Sequence, residues 1–316
     1  MEKRPIGKSG LNVSVIALGS GAMGESPDGA PVDDREAIAA IHHAIDAGCN
    51  LIDTAPSYGW GHAEELVAKA IVGRRKDIFL ATKCGLIPGA NGDGPLRRSL
   101  AKTSILQECE RSLRRLRTDV IDLYQCHWPD TQTPIRETVE ALQTLRAQGK
   151  IRAVGLCNFG CNEIAAAREY GGIDAVQTSF SLLHRHAEDE LLPFCTEHGI
   201  AVLAHSPLAR GLLTGTLTPE SRFTGLRARD PDFVGERYRR HLRIVDRLRS
   251  VAEELGKTLT QLAINWVLHH PGVTVPIVGV QRPTHVIDVL GGIGWRLSDA
   301  DRARIDRILQ GNELES

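Results

Sequence analysis

Short apolar, largely β-branched runs recur along the chain at residues 14–18, 50–52, 78–81, 120–124, 153–156, 175–177, 201–204 and 273–278. Amphipathic stretches separate them. Eight continuous apolar runs alternating with helical patterns predict a parallel sheet buried on both faces. In the first intervening segment Ile38, Ile41 and Ile45 form a stripe at helical spacing, and Gly48 follows as a C′ glycine. Later helices carry their own start signals: Thr133 before a Pro134 expected at the first helical position, and Thr258 with Gln261 as a capping box. Most strand offsets are 22 to 42 residues, the length of a βα unit, but residues 201 and 273 are separated by two helical patterns (241–256 and 258–270) and a polar stretch, 214–240. The reading is therefore α/β, a single (β/α)8 TIM barrel spanning 1–316 as one domain, with an inserted helix between strand 7 and helix 7.

Two segments break the alternation. Residues 214–240 are rich in Arg, Asp and Gly without sustained periodicity and read as a surface loop over the C-terminal rim, a candidate lid. Residues 85–100, with four Gly and two Pro, follow the third strand on the same rim. A doubly wound open sheet is the alternative architecture. Its GxGxxG pattern is spelled only at Gly19–Gly24, and it carries little weight because the ESPDGAPVDD that follows is a poor helix opening.

Composition narrows the partners. With 38 Lys+Arg against 39 Asp+Glu the formal charge is −1, which offers no basic field for nucleic acid or an anionic membrane. The 42% hydrophobic share comes without an apolar run near bilayer length. The N-terminus has no apolar export signal, so the expected location is the cytoplasm. Seven scattered cysteines without a CxxC pair suit reduced thiols. Cys84, Cys126 and Cys157 adjoin candidate site residues and are read as core packing. His184 and His186 invite a metal reading, but no acid or cysteine stands at ligand spacing, and no metal is expected.

In a barrel the active site lies at the C-terminal face, so the residues after each strand are the candidates. They include Gly19, Ser20, Asp53, Lys83, His127, Asn158, Gln177, His205, Ser206 and the segment from Gly279 to Arg282. An Asp, a Lys and a His on successive strands would converge on one pocket, and Tyr58, five residues beyond Asp53, could reach over it.

At these residues the sequence resembles the aldo-keto reductase superfamily, particularly bacterial members acting on aldoses, inositol-type ketones and aryl aldehydes. The resemblance runs over essentially the whole chain. Asp53-Thr54-Ala55-Pro56-Ser57-Tyr58-Gly59 matches its DTAxxYG motif, Ala81-Thr82-Lys83 its ATK, and His127-Trp128-Pro129-Asp130 its HWPD. RPIGKSGLNVS looks like the hairpin that plugs the barrel bottom. The resemblance implies Tyr58 as proton donor, Lys83 and Asp53 as the pair that tunes it, and His127 as the residue orienting the substrate oxygen. A small carbonyl or alcohol would be the substrate and a nicotinamide the hydride carrier. The cofactor would lie on Ser20, Gly21 and Asp53, on Asn158 and Gln177, on the turn His205, Ser206, Pro207, Leu208, Arg210 and Gly211, and on Gly279, Gln281, Arg282, His285 and Asp288. Trp60 and Trp128 would wall the substrate pocket. An ammonium beside Tyr58 is expected to lower its pKa.

The chain departs from the family pattern at Cys157, where many members have Ser, at His205, where many have Tyr, and in Gly279-Val280-Gln281-Arg282-Pro283-Thr284-His285, which lacks the frequent Lys-Ser pair. One arginine, Arg282, can hold a 2′-phosphate bidentately, so NADPH is the favoured cofactor and NADH the alternative. Two other functions compete: a Schiff-base enzyme using Lys83 as nucleophile, and a non-catalytic regulatory subunit. The first needs a depressed lysine pKa, which a neighbouring carboxylate opposes.

Overall fold

The computed structural model describes residues 1–24, 31–88 and 96–311. Eight parallel strands close into a barrel in sequential order: β1 (Ala17–Gly19), β2 (Leu51–Asp53), β3 (Phe79–Cys84), β4 (Ile121–Cys126), β5 (Ile151–Cys157), β6 (Ala175–Ser179), β7 (Ala201–His205) and β8 (Val275–Gly279). Around them run α1 (Asp34–Asp46), α2 (His62–Ala70), α3 (Lys102–Leu116), α4 (Ile135–Ala147), α5 (Cys161–Arg168), α6 (Leu191–His198), α7 (Gly235–Glu254), α8 (Leu259–Leu268), α9 (Pro283–Leu290) and α10 (Asp299–Gln310). The architecture is the expected (β/α)8 barrel, with α7 as the inserted helix. No helix of the described residues is long and apolar enough to cross a membrane.

Alternation along the strands sets up two cores. Outward residues such as Ile52, Leu80, Val154 and Val202 pack beneath the helices. Inward residues Ala17, Leu51, Phe79, Leu123, Ala153, Ala175, Leu203 and Val275 fill the lower barrel, closed from below by Ile6 and Val13. These last two belong to an N-terminal hairpin pairing Lys3–Pro5 with Asn12–Ser14, so the hairpin is where the sequence placed it. Ser14 is therefore in the hairpin, and the first barrel strand starts three residues later.

Local signals account for several helix ends. Asp33 accepts hydrogen bonds from the backbone of Arg35 and Glu36 at the start of α1, while Thr258 and Gln261 form the capping box of α8. Gly48, with φ +93°, takes the left-handed C′ position after α1. Pro134 sits at the N-cap of α4, one position earlier than expected, and Thr133 is drawn to Asp130 by a 2.7 Å hydrogen bond.

The stretch 214–240 is less loop-like than its composition suggests. It holds short helical turns at Arg227–Arg229 and Pro231–Phe233, and its last six residues already belong to α7. Phe223, Phe233 and Tyr238 form an aromatic trio with centroids 5.0 to 6.2 Å apart, and Tyr238 Oη donates to Thr218 O at 2.8 Å. Three aromatics spaced too widely for a periodic signal anchor this segment. In the other irregular segment Leu86–Ile87 pairs with Arg97–Arg98, and its glycine-rich centre lies outside the described residues.

Candidate active site

Every barrel strand ends in its upper, C-terminal layer on a polar or small residue. Most apolar runs of the sequence stop short of this layer, so Asp53, Lys83, Cys157, His205 and Gly279 lie within the strands rather than after them. Lys83 Nζ donates to Asp53 Oδ2 at 2.5 Å, to Thr54 O at 3.0 Å and to Tyr58 Oη at 3.2 Å. Lys83 is fully buried and Asp53 is 2% exposed. The other Asp53 oxygen, Oδ1, accepts from Gln125 Nε2 at 3.1 Å and Gln177 Nε2 at 3.0 Å. Gln125 was not among the residues expected from sequence. Its only signal is strand periodicity: it stands two residues before His127 and pairs in register with Lys83.

Tyr58 is held by a close backbone crossing. A Cβ on Gly24 would lie 2.4 Å from the Tyr58 carbonyl carbon, and one on Gly59, at φ +59°, 2.4 Å from Gly24 O. Only glycine at both positions lets the single helical turn Gly21–Gly24 seat against Tyr58. The His127 ring stands edge-on to the Tyr58 ring at 5.9 Å. All four expected catalytic side chains thus gather at the barrel mouth.

Electrostatics sharpen the arrangement and correct one expectation. Burial opposes the charge on Lys83, but Asp53, with Tyr58 and Cys157 adding to it, outweighs burial and keeps the amine above its ordinary value. For Tyr58 burial raises the pKa more than the Lys83 charge lowers it, so the phenol titrates higher than usual, opposite to the shift expected from the ammonium alone. Burial, followed by Lys83 and His205, holds His127 well below its usual value, and burial with the Lys83 charge pushes His205 down to about 3. Both imidazoles are neutral at physiological pH.

A cleft of about 480 Å³ opens beside this group, lined from the barrel by Trp128, Asn158, Ser179, His205 and Ser206, and from the 214–240 segment by Leu226, Arg229, Asp230 and Asp232. That segment therefore forms one wall, where the sequence placed a lid. His205 is fixed between Asn158 Oδ1 and Ser206 Oγ, each at 3.1 Å. Asn158, Ser206, Ala209 and Arg210 have positive φ, the sharp turns that deliver β5 and β7 into the wall. Pro207 is buried, Leu208 packs half-buried against the outer core, and Gly211, with φ +101°, leaves room for the Arg227 guanidinium. Arg210 pairs with Asp230.

The remaining expected cofactor residues cluster on the neighbouring edge. Ser20 Oγ, at the end of β1, is buried without a hydrogen-bond partner, and Gly21 lies under the Tyr58 ring. Gln281 Nε2 donates to Ala22 O at 2.8 Å, tying the β8–α9 turn to the helical turn Gly21–Gly24 after β1, and His285 Nδ1 accepts from Gln281 N at 3.3 Å. Arg282 is the exposed N-cap of α9, and Gly279 is the exposed end of β8. Asp288 is engaged elsewhere: its Oδ1 accepts from Thr258 at 2.7 Å and Gln261 at 3.2 Å, locking α9 to α8. These groups fit a nicotinamide dinucleotide: an uncharged flat ring at His205, an unsatisfied buried hydroxyl at Ser20, and an exposed guanidinium for a phosphate.

Of the two tryptophans expected at the pocket, Trp128 lines the cleft, its ring covered on one side by Arg98 at 4.9 Å. Trp60 does not. It is 60% exposed on a run of three positive-φ residues, 59 to 61, outside the cleft lining. His184 has an acidic partner after all, far away in sequence: Asp232 Oδ2 at 2.6 Å, with His241 and Arg237 on Oδ1. Among the described residues no group of three or more His, Cys, Asp or Glu is arranged to hold a metal ion.

Comparison with known proteins points the same way. The model of the aldo/keto reductase family matches residues 15–310. The aldo-keto reductase YhdN of Bacillus subtilis (strain 168) is 38% identical over 315 residues, covering 98% of this chain and 94% of that protein. The NADH-specific methylglyoxal reductase of Escherichia coli (strain K12) is 35% identical, covering 95% and 96%. The solved structure of the glycerol dehydrogenase AKR11B4 from Gluconobacter oxydans superposes with a TM-score of 0.89 at 37% identity, covering 99% of this chain and 96% of that one.

Proposed function

The chain belongs to the aldo/keto reductase family and is an oxidoreductase, and from that premise we propose that it interconverts an aldehyde or ketone and its alcohol with Tyr58 as general acid and base. The observation that carries this reading is the buried Asp53–Lys83 pair with Lys83 Nζ 3.2 Å from Tyr58 Oη. A bound nicotinamide supplies or takes the hydride. Tyr58 keeps its proton at neutral pH and donates it to the carbonyl oxygen, and the phenolate left behind faces the Lys83 ammonium, whose charge Asp53 secures. His127, neutral, offers an uncharged donor to orient that oxygen. Alcohol oxidation runs the same proton backwards and needs the phenolate, so it gains with rising pH.

NADPH is the favoured cofactor, with Arg282 on the 2′-phosphate and NADH as the alternative. Asn158, Gln177 and His205 hold the nicotinamide. The substrate class is a sugar, keto-polyol or aryl aldehyde, against the flat wall of Trp128. The names of two relatives, a methylglyoxal reductase and a glycerol dehydrogenase, add small three-carbon oxygenated compounds to it. A raised Lys83 pKa speaks against a Schiff base, which borohydride trapping checks directly. The decisive experiment is a cofactor-oxidation screen with NADPH and NADH against sugars, keto-polyols, aryl aldehydes and methylglyoxal. Turnover that Tyr58→Phe abolishes supports the reading. Folded protein that binds nucleotide and turns over no carbonyl would favour a regulatory subunit instead.

A further inference from the structure

Gln125 sits at the centre of the barrel layer that carries the candidate catalytic groups, with no exposed surface. A buried amide costs free energy unless its hydrogen bonds are made, and an apolar side chain would fill the same place at less cost. Its partners decide what it is for. A carboxylate accepts and never donates, so both amides bonded to Asp53 Oδ1 must present their nitrogens. That fixes the remaining bond: Gln177 Nε2 donates also to Gln125 Oε1, at 3.1 Å. Asp53, Gln125 and Gln177 thus close a triangle in which no amide can be turned over without setting oxygen against oxygen. Gln177 Oε1 is left pointing away from it, 3.7 Å from Cys157 Sγ.

A second, independent observation concerns the neighbouring strand. Gly155 pairs with Gln125 in register, and a Cβ there would lie 2.7 Å from Gln125 Cγ and 3.2 Å from Leu123 Cδ1. The glycine in the middle of β5 is the room in which the Gln125 side chain lies. It has an ordinary negative φ, so space and not backbone conformation calls for glycine.

We infer that Gln125 is a positioning residue: it holds the Asp53 carboxylate against Lys83 and, through the shared bond, fixes the orientation of the Gln177 amide. This rests on the reading of Tyr58, Lys83 and Asp53 as the proton-transfer group. With two donors on Oδ1 the negative charge of Asp53 is spread, and Lys83 keeps more of its field for the Tyr58 oxygen. Tyr58 faces Lys83, Asp53, the Cys157 thiol and the His127 ring, so Asp53 and Lys83 are the charges that set its titration. Removing one donor concentrates the carboxylate charge. That raises the Tyr58 pKa directly and again by binding Lys83 more tightly.

The test uses Gln125→Met, which keeps length and volume and removes the amide, with methylglyoxal as probe substrate and whichever of NADPH and NADH wild type oxidises. A fall in kcat of ~10-fold or more is expected, together with an upward move of the alkaline limb of kcat/KM by at least ~0.5 pH unit. Nicotinamide nucleotide should bind a few-fold more weakly as Gln177 is freed. Gly155→Ala, which presses on Gln125 Cγ, should shift the same limb in the same direction by less, and it gives the reading should Gln125→Met not fold. A wild-type alkaline limb in a folded variant overturns the inference, because a purely structural amide would alter Tm and leave the limb alone. Tyr58→Phe run alongside separates the two claims: if it keeps turnover, the proton-transfer reading itself fails. If it is inactive while the limb in Gln125→Met stays put, only the role of Gln125 is lost.

Discussion

Two buried carboxylates, Asp53 in the barrel and Asp232 in the segment beyond β7, face the same problem with different partners. Asp53 is 2% exposed and Asp232 5%. Asp53 meets a single ammonium that has no exposed surface, and its second oxygen is taken by two buried amides. Asp232 shares its oxygens among His184, His241 and Arg237, whose side chains are 27%, 11% and 59% exposed. The first arrangement is dry and carries a charge that does not change with physiological pH. It suits a group whose field must already be in place when a proton moves. The second ties a cleft wall to the barrel through one half-exposed guanidinium and two imidazoles. It suits a segment that has to be held but not frozen.

The largest expected effect comes from breaking the dry pair. Lys83→Met should lower kcat by at least ~100-fold, Tyr58→Phe by a similar factor, and the double variant by little more, since the two act as one unit. Steady-state rates of the three variants check this. Losses that multiply would make the phenol and the ammonium independent and remove the reason for calling the pair preorganised.

A third cation sharpens the contrast because it has no carboxylate partner among the described residues. Arg282, exposed at the N-cap of α9, is free for a phosphate. Arg282→Ala should raise the Kd of NADPH by roughly 10- to 100-fold, about 1.4 to 2.8 kcal/mol, and leave NADH nearly unchanged. Fluorescence titration with both nucleotides decides. Equal weakening of both would mean that Arg282 only braces the turn.

The same contrast explains what the sequence revealed. Strand order, the barrel and the meeting of Asp53, Tyr58, Lys83 and His127 were legible because each stands next to an apolar run in a recognisable local word. Gln125 was not, because the strands read as continuous apolar runs and the inward alternation Leu123, Gln125, His127 carries no local signal of its own. The Asp232 cluster was equally hidden. His184 and Asp232 are 48 residues apart in sequence, and the polar composition around Asp232 reads as loop although Phe223, Phe233 and Tyr238 anchor it. Trp60 failed in the opposite way. Adjacent to Tyr58 in sequence, it is carried out of the cleft by a left-handed run that a tryptophan rarely enters. The raised Tyr58 pKa escaped because burial, a tertiary quantity, outweighs the neighbouring charge.

Loosening the second carboxylate should cost less than breaking the first. Asp232→Asn keeps the shape and removes the charge, leaving His184 and His241 weaker acceptors. A loss of about 1 to 3 kcal/mol in urea unfolding is expected, with KM raised several-fold and kcat within ~3-fold of wild type. A fall in kcat as large as that of Lys83→Met would place Asp232 in the chemistry and erase the distinction between the two regions.

The smallest effect expected is the difference in how the two regions answer pH. Burial first, only partly offset by Asp232, holds His241 below its ordinary value, and burial does the same for His127 and, down to about 3, for His205. A histidine with a lowered folded pKa takes up its proton more readily when unfolded. It contributes fully above its unfolded value of about 6.5, and stability declines as pH falls from there toward the folded value. Asp232 has the same sign farther down: burial alone would raise it, but His184 and Arg237 bring it below its usual range, so its contribution is lost on acidification through that lowered value. Lys83 has the opposite sign. Its raised pKa stabilises the fold fully below about 10.5, and that contribution goes as pH rises through the folded value. Urea midpoints should therefore fall on the acid side below about pH 7, and on the alkaline side from about pH 9, where the thiols of Cys49, Cys84, Cys109, Cys157 and Cys195, pushed up by burial, ionise in the unfolded chain first. Replacing His241 by leucine should flatten the acid limb only slightly, because His127 and His205 keep theirs. A midpoint that stays level from about pH 7 to pH 5 would mean that these imidazoles are not held neutral. An acid limb untouched by His241→Leu would leave the whole of it to the barrel and none to the segment that Asp232 holds in place.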